Sequence, residues 1–349
     1  DVSMEYYNTK TKDVIWNKAL PVINGAFSPD GGPKANYTTN LNMCETSNKG
    51  FELALNTRNI ITKNFTWSSS VTFNHNKEKI TKLSGGDSDV LNNGDTGYAL
   101  ALGEAINSYY HYKLDGVWQK GEETDAAVFG AAPGDLKINI PNLVKESDGR
   151  FYKIDEETGS AAVDENGNVI YYTSDNKYTP SDADYQILGH NSPDWSLGFQ
   201  NNFTWKDFDL SVFVYARYGQ MFAYDMLTSY DPKGIRNFPT YFNYWTENNP
   251  SNDFPAANAN KGLEQYTGYY ALRYVDGSFI KIKNITLGYS LPKSILKSAG
   301  IEKCRFYATI TNPFVFAKSH LLKDYDPEMN GSLKYPLTKQ FVFGVNVTF

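Results

Sequence analysis

The sequence predicts an all-β chain: an antiparallel up-and-down transmembrane β-barrel, or a large part of one. Three observations predict it. Apolar residues recur at every second position in segment after segment, the period of a strand with one apolar face. The connections between these segments are of two kinds: very short polar turns, and excursions of tens of residues rich in Gly, Asn, Asp, Ser and Pro. Outer-membrane barrels have this asymmetry systematically, whereas compact soluble domains rarely carry many long loops. Finally, aromatics make up 15% of the 349 residues, with 26 Tyr and 21 Phe, although mean hydropathy is only −0.50. No run of about 18 apolar residues offers a transmembrane helix.

The strands follow from the alternation. Val2, Met4 and Tyr6 share a face, and Asp1 already lies in this pattern, so the chain is expected to be a piece of a longer protein. Phe51, Leu53 and Leu55 alternate with Glu52, Ala54 and Asn56. A turn over Asn59–Asn64 leads to Phe65, Trp67, Val71 and Phe73, set against Thr66, Ser68, Ser70, Thr72 and Asn74. The stretch Tyr98–Gln119 is expected to hold two strands hinged at Gly103–Asn107. Trp195, Leu197, Phe199, Phe203 and Trp205 alternate with polar or small residues, and the Lys206–Asp207 turn returns the chain to Phe208, Leu210, Val212 and Val214. Ile285, Leu287, Tyr289 and Leu291 form the next apolar face. Pro292, Ser294–Ala299 and Gly300 read as a short helix stopped by glycine. Phe306, Ala308 and Ile310 follow, then Phe341, Phe343, Val345, Val347 and Phe349. The count is about ten strands.

Alternating strand directions put every short turn on one side and every long excursion on the other. The expected loops are 10–47, 78–97, 120–193, 219–276 and 317–337. Phe65, Trp67, Phe203 and Trp205, all beside short turns, would then sit at one edge of the membrane, where an aromatic girdle belongs.

Charge and motifs narrow the function. A net charge of −6 argues against nucleic acid. Cys44, read as lying in a polar loop, and Cys304, opening a strand, would sit at opposite rims and stay unpaired. His75, His111, His190 and His320 lack metal-ligand spacing, so neither a metal nor another cofactor is expected. Asp164, Asn166 and Asn168 keep part of a calcium-loop spacing, but Val169 stands where glycine is needed, which favours a solvated turn. No GxSxG, HExxH or phosphate loop is present, and the chain is not expected to be an enzyme. Loop carboxylates such as Asp125, Asp135, Glu156 and Asp184 leave a glycosidase-like pair open. The aromatic-rich stretch 218–274 suits stacking on ring-shaped ligands, docking of a lid protein, or its own internal packing. Tyr224, Tyr230, Tyr241, Tyr244 and Trp245 are its candidate contact residues.

Several segments resemble one family: Asn48–Asn56 (NKGFELALN), Gly103–Gln119, Ala132–Lys137 (APGDLK), Ile187–Phe199, Trp245–Pro250 (WTENNP), Val275–Pro292 (VDGSFIKIKNITLGYSLP) and Tyr325–Glu328 (YDPE). In this order they resemble the C-terminal part of the SusC/RagA family of TonB-dependent outer-membrane transporters. The stretch Pro141–Asp184 is longer here than the resemblance leads one to expect.

The resemblance implies a Gram-negative outer-membrane barrel of about 22 strands. An N-terminal plug and the earlier strands would lie outside this chain, and TonB would act through that missing part. It also implies a SusD-like surface lipoprotein as lid and import of glycans or, in some members, oligopeptides. The terminal strand, with Phe341, Phe343, Val345, Val347 and Phe349, looks like the signal read by the barrel-insertion machinery. Two other readings stay open on the residues alone: a secreted all-β carbohydrate-binding or hydrolytic protein, and a plain structural barrel.

Overall fold

A computed structural model describes residues 1–19, 38–83, 90–92, 98–229, 232–233, 239–297 and 300–349. Eight long strands form one antiparallel sheet in sequence order. They are β1 (Val2–Ala19), β2 (Thr38–Ile61), β3 (Phe65–Leu83), β4 (Trp195–Trp205), β5 (Phe208–Tyr218), β6 (Phe279–Ser290), β7 (Lys303–Ala317) and β8 (Gln340–Thr348). Among the described residues the α-helices are two short ones, Glu123–Val128 and Lys293–Leu296. The second falls where Pro292 and Gly300 predicted a helix.

Register makes the sheet two-faced. One cross-strand row runs Leu55, Val71, Phe199, Val214, Ile282 and Phe314; another runs Leu210, Leu287, Ala308 and Phe343. The opposite face carries Asn202, Ser211, Thr286, Thr309 and, lower down, Thr204 and Asp209. A bulge at Lys283 in β6 is matched by an extra residue in β7 at the left-handed Asn312, so Ile280 and Ile282 stay on the face of Ile285 and Leu287. Without that paired insertion a one-residue slip would turn every later side chain over.

The connections segregate. The connections that follow Ile61, Trp205 and Ser290 leave one edge; those that follow Ala19, Leu83, Tyr218 and Ala317 leave the other.

The structure corrects three sequence expectations. Tyr98–Gln119 supplies no strand of the large sheet, because β3 pairs directly with β4 from Trp195 opposite His75 to Trp205 opposite Phe65. No gap remains for a hairpin. Instead Tyr98–Ala101 and Ser108–His111 pair with each other, and Ser108–His111 also pairs with Gln186–His190 in a separate four-stranded sheet. The large sheet thus has eight strands here rather than about ten, and removing two leaves the direction of every connection unchanged. Pairing of Thr9–Ala19 with Thr38–Asn48 narrows the loop expected at 10–47, and the loops expected at 78–97 and 120–193 belong to one excursion. Cys44 lies within β2 rather than in a polar loop; it and Cys304 are both buried free thiols.

Candidate functional site

At the long-connection ends of β6 and β7 the two faces of the sheet are solvated in reverse. In β6 the neighbours Ile280 and Lys281 are 54% and 0% exposed. Leu287, Phe314 and Phe316 are likewise exposed on the apolar face. There the polar face is the one covered, because the 318–339 connection folds against it. Lys281 donates to Asp326 and, at 2.8 Å, to Glu328, while Lys283 donates to Glu328 at 2.6 Å. Glu328 is driven up by burial, but the hydrogen bonds from both lysines outweigh this and hold it below the usual carboxylate range. Two segments of the resemblance, the lysines of FIKIKN and the acids of YDPE, are therefore one ionic clasp that ties the 318–339 connection to β6.

Further segments clip together at the long-connection edge. Gly116 has φ +99°, and a Cβ there would meet Asn252, whose side chain accepts from the Val117 N–H at 3.2 Å. Gln119 accepts from the Trp245 indole at 3.0 Å. Gly134, at φ +94°, lies under the Trp245 ring, where a Cβ would come within 2.8 Å of it. One apolar core results, with Val117 and Leu136 from the first excursion, Phe222, Tyr224, Phe242, Trp245 and Phe254 from the second, and Leu322 from the third.

That core decides what the candidate aromatics do. Tyr224 and Trp245 are buried and engaged in packing, the internal-packing alternative for this stretch. Tyr241 is partly buried against the same core, Tyr244 is 40% exposed, and Tyr230 lies outside the described residues. A groove of about 380 Å³ opens beside the core. It offers the rings of Tyr112 and Tyr274, an apolar floor of Leu114, Leu272 and Leu321, and the polar groups of Lys113, Asn252 and Asp253. Sequence reasoning missed Tyr112 because it placed Tyr98–Gln119 in the barrel wall. Behind the groove, His111 stacks on Tyr185 at 4.8 Å, and burial together with Arg273 lowers its pKa to about 4. It is neutral at physiological pH.

The loop carboxylates are held separately. Asp125 binds Lys145, Asp135 binds Lys261, Glu156 accepts from Asn142, and Asp184 binds Lys153. Each has its own partner, and these bonds bring no two of the four together as an acid/base pair. Asp164 accepts from the Asn166 and Asn168 amides at 2.9 Å each, so its carboxylate closes a turn.

On the apolar face Trp67 stacks on Phe203, and Trp205 on Phe208, near the short-turn edge. The Trp67 indole donates to Asn201, which also accepts from Ser69 at 2.7 Å. This small polar patch satisfies itself laterally. Phe341, Phe343, Val345, Val347 and Phe349 are all exposed, Phe343 at 81%. Because β8 ends the sheet, its exposure says less than that of Leu287 in β6, which has a neighbouring strand on each side.

Over its whole length the chain is 28% identical to TonB-dependent receptor P3 of Formosa agariphila, across 371 aligned positions and 32% of that relative. Over 98% of its length it is 26% identical to TonB-dependent receptor SusC of Bacteroides thetaiotaomicron, covering 29% of it. Over its whole length the chain is similar to TonB-dependent receptors, SusC among them. It spans about a third of the length of the curated relatives it matches. The chain also superposes along its entire length on 33% of a chain in the RagAB peptide transporter structure, with TM-score 0.69 and 23% identity, a likeness of fold. No family model matches the chain. The relatives are named as receptors and not as enzymes.

Proposed function

We propose that this segment forms part of the wall and outer loops of a TonB-energised importer in a Gram-negative outer membrane. The carrying observation is the reversed solvation of β6: Ile280 faces out bare while Lys281 beside it is fully buried. A soluble sheet hides its apolar face. One that exposes it and covers its polar face matches a barrel with lipid outside and a polar lumen. The apolar band fits as well. The eleven residues of β4 run between Trp195 and Trp205. At about 3.4 Å per residue and a tilt of about 40° they span about 26 Å, close to the ~25 Å apolar band of such barrels.

In this reading the sheet is the closing portion of a barrel of about 22 strands, and the plug and remaining strands belong to the rest of the receptor. The long connections lie outside the cell, including 219–276 and 317–337. Phe65, Trp67, Phe203 and Trp205 form the periplasmic girdle, and the β8 set ending in Phe349 is read by the insertion machinery. Tyr244 and the groove of Tyr112, Tyr274, Asn252 and Asp253 meet the substrate or a SusD-like lipoprotein lid. Rings beside amide and carboxylate groups suit pyranose faces and hydroxyls, so oligosaccharides are the leading cargo and oligopeptides the alternative.

The test is uptake of labelled oligosaccharides and of size-matched oligopeptides by cells carrying the full-length receptor and its lid, with and without an uncoupler. Saccharide accumulation abolished by the uncoupler is expected. Uptake of peptide alone would move the substrate assignment to the alternative. Uptake of neither, or uptake indifferent to the uncoupler, would remove the importer reading.

A further inference from the structure

Above the aromatic limit of the apolar face, the outward surface of β1–β3 is basic. Tyr6, Phe51 and His75 form one cross-strand row. The next outward row is Asn8, Lys49 and Lys77, and the one beyond is Lys10, Ser47 and Lys79. Lys49 and Lys77 are directly opposite on the same face, an arrangement of like charges that costs stability in a sheet. Among the described residues none of Lys10, Lys49, Lys77 and Lys79 forms an ion pair, and all four are exposed. The neighbouring carboxylates are engaged elsewhere: Glu45 pairs with Lys82, Glu78 accepts from the Ile106 N–H, and Glu52 accepts from Asn74. A groove of about 370 Å³ joins the two parts, its floor formed by Tyr6, Phe51 and His75 and its upper wall by Lys49, Lys77 and Lys79.

We infer that this ledge binds the phosphorylated headgroup of an outer-leaflet lipid. The inference rests on the membrane reading for its sidedness. Lys49, Lys77 and Lys79, without ion pairs among the described residues, line the wall where a phosphate would sit, and the ring-lined floor continues into the apolar face, where an acyl chain would run. A free anion would use the lysines but not the floor. An acidic protein partner would leave the apolar floor bare.

The full-length receptor is placed in phosphatidylcholine nanodiscs, and retention of lipid A, a bisphosphorylated glycolipid, is compared with that of its dephosphorylated form by native mass spectrometry. Wild type should retain the phosphorylated lipid preferentially. Lys49→Gln, Lys77→Gln and Lys79→Gln combined should weaken it about a hundredfold, from the usual contribution of a lysine near an anionic membrane surface. The corresponding triple Arg variant should keep binding, which separates charge loss from misfolding. Equal binding of both lipids by wild type, no loss in the Gln variant, or full displacement by inorganic phosphate would overturn the inference. The first of these, in a receptor that does insert, leaves the barrel reading intact. Failure of wild type to insert at all overturns both.

Discussion

Replacing Lys281 with Met is expected to destabilise the 318–339 connection by about 3–5 kcal/mol, the range for removing one partner of a buried ion pair. The cost is large because Lys281 has no solvent exposure, and its loss strands Asp326 and Glu328, whose side chains are only 12% and 16% exposed. Lys283 still reaches Glu328, so Asp326 bears most of the penalty. Limited proteolysis of the receptor should cut within 318–339 in the variant at protease levels that leave wild type intact. Adding Asp326→Asn and Glu328→Gln should restore most of the protection, because the cost comes from uncompensated carboxylates rather than from lost packing. Equal protease resistance of wild type and the single variant would show that the clasp does not hold the connection.

Asp184→Asn is expected to cost about 2–3 kcal/mol, less than a fully buried pair because Lys153 is a quarter exposed and can turn to water. The carboxylate itself is fully buried and accepts from Lys153 and Tyr178 at 2.6 Å each and from the Ser181 N–H at 2.9 Å. Burial pushes its pKa up, but these donors outweigh burial and leave it below the ordinary value of 3.8. The sign follows. The unfolded chain takes up the proton first, so this stabilisation is complete above about pH 3.8 and fades as pH falls through the lower folded value. Tyr178, raised to about 12 by burial and by the bond to Asp184, stays a donor throughout the accessible range. Thermal unfolding of the variant should show a lowered transition and a flatter acid limb. An unchanged transition would remove this cluster as a support of the 141–184 stretch.

Much of the wall was legible because period two is a local property. Ile285, Leu287 and Tyr289 share their face in the structure, as do Phe306, Ala308 and Ile310, each set apolar in the chain and aligned in the sheet. The same property misplaced Tyr98–Gln119: alternation says that a segment is half-covered but not which sheet it joins, and Ser108–His111 alternates against Gln186–His190 as well as it would against a barrel neighbour. Nor does alternation see across distance. Lys281 meets Asp326 from 45 positions away, and nothing in either segment alone announces the pairing. Aromatic composition left the second excursion open between packing and binding. Only the core formed with Val117 and Leu136 separates Trp245, which packs, from Tyr244, which is exposed. Asn201, polar on the apolar face, became intelligible once Trp67 and Ser69 were seen to satisfy it.

The most direct test of the membrane wall is a paired arginine scan of the full-length receptor refolding into lipid bilayers. Leu287 and Val212 lie on the apolar face, and Thr286 and Ser211 are their immediate neighbours on the polar face. Arg at Leu287 or Val212 should cost about 2–4 kcal/mol of folding free energy near the bilayer midplane, and Arg at Thr286 or Ser211 much less. Similar costs on the two faces would contradict a wall with lipid on one side and a polar lumen on the other.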